Sequence, residues 1–130
     1  MSDATDHRAW LDKAEEDWLC VRNNLAAEKK PWSCICFHAQ QAAEKCLKAL
    51  LVHRGYFPAK THDLVELLVP CLQFDAGLDI LRSDCRLLTE YAVEVRYPFF
   101  EPEVNEDAAR QAVAAAESIC EAVRQRLPKG

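Results

Sequence analysis

The strongest constraint on this chain is a series of apolar stripes at three- and four-residue spacing, each cut off by a breaker. Leu11, Ala14, Trp18, Val21 and Leu25 make the first stripe, and Pro31 ends its reach. Such spacing keeps one side of a 3.6-residue helix apolar and predicts a helix from about residue 7 to residue 27. A second helix is expected from Trp32 or Ser33 to about Arg54, where Gly55 is placed to stop it. Thr61 suits the N-cap of a short third helix that runs to about Val69 or Leu72 around Pro70, with Asp63 and Glu66 near its positive end. Leu81, Cys85, Leu88, Ala92 and Val95 mark a fourth helix, which stops at "RYPFFEPE". Asn105, followed by Glu106 and Asp107, starts the last helix. Its inner face is Ala112, Ala116, Ile119 and Val123, and Pro128 and Gly130 end it. No strand pattern or internal repeat competes. Four long helices and a short one on short connections predict an all-α, antiparallel up-and-down bundle. Small residues on the second and fifth helices let those two approach closely.

With 130 residues the chain suits a single domain over 1–130, large enough to build a core without staples. No apolar run is long enough to cross a bilayer, and "MSDATDHRAW" is polar and acidic where a signal peptide would be basic and then apolar. A cytoplasmic location is expected, with no membrane partner. Seven cysteines are an odd number, and most fall where a helix buries a small apolar group, so reduced thiols are expected.

The net charge of −5 argues against indiscriminate coating of nucleic acid, but the charge is unevenly spread. Residues 31 to 62 hold four basic side chains against one acidic, in an otherwise acidic chain. The basic ones are Lys45, Lys48, Arg54 and Lys60, with His53 and His62 close by. Within this block, "FHAQQAAEKCLKALL" places Ile35, Ala39, Ala42, Ala43, Cys46 and Leu50 on one arc of a helix. The opposite arc collects Phe37, His38, Gln41, Glu44, Lys45 and Lys48. That second arc is either a wet face steadied by Glu44 and Lys48 at i, i+4, or a contact face for a partner or an anion.

Cys34, Cys36 and His38 invite a metal site, but the set is incomplete: structural zinc wants four ligands, and no second pair has matching spacing. Neither a metal nor a cofactor is expected. "KTHDL" puts His62 and Asp63 at a helix start beside Lys60, where backbone N–H groups and the helix dipole favour an anion, or where Asp63 simply complements the dipole. "EVRYP" offers Arg96 as a forked phosphate clamp and Tyr97 as a ring able to stack on a base. With three glycines, the chain has no phosphate-cradling loop, and it has no serine nucleophile elbow. A self-contained kinase, nucleotidyltransferase or hydrolase is not expected.

Four ordered blocks, "FHAQQAAEKCLKALL", "KTHDLVELL", a cysteine-containing helix ending in "RYP", and "DAARQAVAAAESI", together resemble the HEPN domain over about residues 8 to 126. The resemblance implies a helical bundle that commonly dimerises and is often encoded beside a minimal nucleotidyltransferase in toxin–antitoxin pairs. It also implies functions from nucleotide binding to metal-independent RNA cleavage. Ribonucleases of that family use Arg, four to six residues, then His, whereas the positions so placed after Arg96 hold Glu101, Pro102 and Glu103. The motif is broken, and with it the usual acid/base imidazole. The expectation is therefore a dimeric nucleotide- or RNA-phosphate-binding module with Lys45, Lys48, Lys60, His62, Arg96 and Tyr97 as ligand residues. The alternatives are a ribonuclease toxin with a displaced histidine, His38 or His62, and a ligand-free assembly subunit. A two-fold partner is expected because the polar and small-residue helix faces exceed what one bundle satisfies.

Overall fold

The computed structural model describes residues 6–93 and 104–129. Three long helices carry the fold: α1 over His7–Ala26, α2 over Trp32–His53 and α5 over Glu106–Arg124. Between them lie α3 over Leu64–Cys71, a 3₁₀ turn over Ala76–Leu81 and α4 over Arg82–Thr89. The chain is an all-helical bundle, as its periodicity predicts, with no strand among the described residues.

The helix ends follow from local chemistry. Asp6 and Asn105 cap α1 and α5 by accepting from the N–H groups of Arg8 and Ala108, each at 2.9 Å. Gly55 stops α2 with a φ of +84°, a conformation that costs a glycine little. Around it the N–H of Tyr56 donates to Leu51 O at 2.9 Å and that of Gly55 to Val52 O at 3.0 Å. This is a Schellman turn, and it satisfies two carbonyls that would otherwise be orphaned.

Two expectations shift. The cap of α3 is Asp63 rather than Thr61: its Oδ1 accepts from Val65 N at 2.9 Å, while Thr61 Oγ1 accepts from Asp63 N at 3.1 Å. The hydroxyl thus shapes the turn before the helix and the carboxylate closes its end. The fourth helix is shorter than its stripe, because Leu81 ends a 3₁₀ turn and Ala92 lies beyond Thr89. Val95 and the "RYPFFEPE" segment through Glu103 lie outside the described residues.

Directions can be read from the contacts. Between α1 and α2 the partners are Asn24 with Cys34, Asp17 with His38, Trp10 with Lys48 and His7 with His53. One number falls as the other rises, so these helices are antiparallel. Between α2 and α5, Arg110 lies over the Trp32 ring and Cys120 Sγ donates to Ala42 O at 3.6 Å. Both numbers rise by ten, so these helices run parallel, as alternate members of an up-and-down bundle must. Ala39, Ala42, Ala43, Ala109, Ala112 and Ala116, all fully buried, line the facing sides and permit the close approach that their size predicts. Leu47, Leu50, Leu51, Leu64, Leu67, Leu68 and Ile119 fill the rest of the core; each such side chain removed from water contributes about 1.5–3 kcal/mol.

Candidate functional site

The polar arc of α2 is largely covered: Glu44 is 4% exposed and Lys48 8%, while Phe37, His38, Gln41 and Lys45 are partly buried. Beside the arc Gln40 is fully buried, and its partners too lie inside the same chain. Two clusters result, each built from one carboxylate, one lysine and one histidine.

The first joins α1 to α2. Asp17, buried on α1, accepts from His38 Nδ1 at 2.8 Å through Oδ1 and from Lys45 Nζ at 2.5 Å through Oδ2. A carboxylate paired with a lysine serves as the acceptor, so His38 Nδ1 is the donor of this hydrogen bond. The Phe37 ring closes edge-on against His38 at 5.2 Å. The His38 and Lys45 side chains are both largely enclosed, at 21% exposure each.

The second joins α2 to the segment before α3. Glu44 Oε2 accepts from Lys48 Nζ at 3.1 Å, and Oε1 accepts from His62 Nδ1 at 2.8 Å and from Gln40 Nε2 at 3.5 Å. Gln40 Nε2 also donates to His62 O at 3.0 Å, and Gln41 Nε2 donates to Gln40 Oε1 at 2.7 Å. The Lys48 ammonium lies 5.3 Å from the centre of the Trp10 ring, within cation–π range. His62 is thus gripped at its ring and at its backbone, yet its side chain is 67% exposed. With Nδ1 committed to Glu44, Nε2 is the ring atom left for a ligand.

The sequence-predicted residues therefore separate. Lys45 and Lys48 are in ion pairs with Asp17 and Glu44. His62 stands outward, and Lys60, two residues earlier, is exposed and forms no ion pair among the described residues. Arg96 and Tyr97 lie outside the described residues. The start of α3 is already occupied by the chain itself, since Thr89 Oγ1 accepts from Leu64 N at 3.1 Å and Asp63 from Val65 N. Asp17, Gln40 and Trp10 were not singled out by the sequence reading. The one signal for them was the glutamine pair at 40–41, two amides inside an alanine-rich helix. Within one chain, α1 and the segment before α3 meet the polar side chains Lys45, Glu44 and Lys48.

The cysteines are core material. None of the seven, all among the described residues, is in a disulfide. Burial pushes the Cys71 and Cys85 thiols up to about 12, and the Cys120 thiol beside Cys46 raises the latter well above its usual range, with burial adding to it. Cys34 Sγ accepts from Asn24 Nδ2 at 3.6 Å, Cys36 is fully buried, and His38 is turned to Asp17. Among the described residues no group of three or more His, Cys, Asp or Glu side chains is arranged to hold a metal. A separate groove between α1 and α5, floored by Trp18, Val21, Leu25 and Val113, contains none of the predicted ligand residues.

This geometry, a buried polar seam along the second helix that ends in the His62 of "KTHDL", sits in a chain whose residues 7–126 match the family model described as HEPN domain. The chain belongs to the HEPN domain family. Among solved structures, the HEPN chain is similar to the crystal structure of TT1696 from Thermus thermophilus, at 28% identity and a TM-score of 0.75, over 93% of this chain and 98% of that one. No curated protein gives a significant match. No helix among the described residues of this HEPN domain is long and apolar enough to cross a membrane.

Proposed function

We propose that this HEPN domain is a phosphate-binding module for a nucleotide or RNA, that it acts as a homodimer, and that it works with a minimal nucleotidyltransferase. The observation that carries the reading is His62: a buried glutamate orients its ring, a buried glutamine holds its backbone, and the ring itself faces solvent. Orienting one imidazole nitrogen inward fixes where the other can meet a ligand, so little ordering is left for binding. Lys60 lies near in sequence as a mobile point charge, and Arg96 and Tyr97 remain in the proposal as clamp and stacking ring. Lys45 and Lys48 take a supporting role, neutralising the carboxylates that would otherwise repel a phosphate.

The test is binding of ATP and of a short RNA at rising salt. Affinity should fall as salt rises, because few cations serve an acidic protein. His62→Ala, Lys60→Ala and Arg96→Ala should each weaken binding more than Lys29→Ala or Lys30→Ala. Equal effects across all five would misplace the site. A monomer mass by light scattering at micromolar concentration would remove the dimer from the proposal.

One observation favours the ribonuclease alternative, since a carboxylate-oriented histidine is also the arrangement of a general base. Incubation with RNA in EDTA separates the two. The binding reading expects no 2′,3′-cyclic phosphate ends. Cleavage lost in His62→Ala would replace it.

A further inference from the structure

The connection from α2 to α3 carries the most exposed aromatic ring among the described residues. Phe57 is 79% exposed, next to Tyr56 at 41%. Leaving a phenylalanine in water forfeits the stabilisation that burial would give, so a ring held there calls for a reason. The ring does not hang on a slack loop. Behind it stands the Schellman turn at Gly55, and ahead of it Pro58, whose ring fixes its own φ. On the inner side Tyr56 rests against the Phe74 ring at 5.7 Å, and the Arg54 guanidinium lies 4.3 Å from the centre of that same ring. Tyr56 and Arg54 are thus braced, while Phe57 stands clear of them.

Along the connection itself the charged side chains have one sign. From residue 45 to residue 62 there is no Asp or Glu. Lys45 and Lys48 in that run face inward, which leaves Arg54, Lys60 and the outward His62 along the loop. Three carboxylates beside the loop in contact or in sequence are engaged: Glu44 accepts from His62 Nδ1, Asp63 caps α3, and Asp75 accepts from Arg126 Nε at 2.5 Å. An exposed ring between cations matches the surface that takes a single-stranded nucleic acid, with bases stacking on the ring and backbone phosphates meeting the cations. A lipid surface would call for a broad apolar helix face, which this connection lacks.

We propose that residues 54–62 form a stacking platform for single-stranded nucleic acid, with Phe57 as the ring on which a base stacks and Arg54, Lys60 and His62 as its phosphate contacts. The proposal rests on the reading of His62 as a phosphate contact and adds the class of ligand and the ring that recognises it.

The experiment measures binding of a fluorescein-labelled oligouridylate of roughly ten nucleotides, a length within the span of one such groove, to the wild-type chain and to Phe57→Ala, Phe57→Trp and His62→Ala. Inorganic tripolyphosphate serves as the probe without bases, and phosphatidylserine vesicles as the lipid probe. Because Phe57 is exposed, its variants should keep the wild-type melting curve. Phe57→Ala should weaken oligouridylate binding by about tenfold, the scale of one lost base stack, and leave tripolyphosphate binding unchanged. Phe57→Trp should bind at least as well as wild type and show added tryptophan quenching on saturation. Oligouridylate binding that depends on His62 but not on Phe57 overturns this inference and leaves the phosphate site standing. Dependence on Phe57 with no effect of His62→Ala and no tripolyphosphate binding removes the phosphate site and overturns His62 as a contact of the platform, while supporting Phe57 as the stacking ring. Binding of neither ligand overturns both, and Phe57-dependent vesicle binding without oligouridylate binding assigns the ring to lipid and overturns the platform.

Discussion

The two polar clusters of α2 use the same three kinds of side chain and come to different ends. Around Asp17 the histidine is enclosed, and both of the carboxylate's partners belong to a contact between long helices. Around Glu44 the lysine is enclosed but the histidine comes from a connecting segment and faces water. Each histidine spends Nδ1 on its carboxylate and keeps Nε2 over. The difference is exposure: the His38 side chain is 21% exposed and the His62 side chain 67%. Composition alone does not separate a strut from the proposed binding group. What separates them is whether the histidine sits on a helix packed into the bundle or on the segment leading out of it.

The largest effect expected from testing this contrast is on stability at Asp17. Asp17→Ala strands a lysine and a histidine in a nearly closed site, and breaking a buried pair by removing one partner costs about 3–5 kcal/mol. Urea denaturation should show it; a loss under about 1 kcal/mol would mean that the cluster is no strut.

Next come the histidines as a matched pair. His38→Ala leaves part of a buried carboxylate unsatisfied and should cost about 1–3 kcal/mol with no change in nucleotide affinity. His62→Ala, at an exposed ring, should cost under about 1 kcal/mol and weaken affinity severalfold. If both variants lose affinity equally, or neither does, the two clusters do not differ in role.

The smallest effects should come from two carboxylates outside both clusters, and they have opposite signs. The Arg126 hydrogen bond holds the Asp75 carboxyl below its usual 3.8, so its contribution to stability is present above that value and is lost as pH falls through the lowered one. Arg126→Ala should therefore lower the melting temperature slightly at pH 7 and much less at pH 2. Burial raises the Asp84 carboxyl, so ionising it works against the fold, and Asp84→Asn should raise the melting temperature slightly at pH 7 with no gain below 3.8. Shifts at either position as large as that of Asp17→Ala would erase the distinction between surface pairs and buried clusters.

Helix positions were legible because periodicity and breakers are local. Gly55 and Asn105 act where the sequence puts them, since a C′ glycine and an Asn cap need only their own neighbours. The short α4 was not legible, because Leu81, Cys85 and Leu88 fit one stripe whether the chain is 3₁₀ or α before Arg82. Lys48 with Glu44 was legible as an i, i+4 pair, but its burial depends on Trp10, 38 residues earlier. Asp17 illustrates the limit: nothing near it in sequence announces that a histidine and a lysine of another helix converge on its two oxygens. His62 was legible because it stands beside Lys60 at a helix start, where backbone N–H groups and the dipole favour an anion, whereas Glu44, which orients it, fitted a wet face and a contact face equally.

The cysteines give the chain a further property. Cys36, Cys46, Cys71, Cys85 and Cys120 are at most 2% exposed, while Cys20 and Cys34 are only partly covered. With Cys46, Cys71 and Cys85 also held as neutral thiols at ordinary pH, the folded chain shelters the sulfurs that a chromogenic thiol reagent would attack. Cys46 and Cys120 lie where α2 meets α5, and Cys71 and Cys85 lie on α3 and α4. The rate at which each pair becomes reactive is then a built-in clock for how often that part of the bundle opens, and a ligand that closes over the molecule would be seen to slow it.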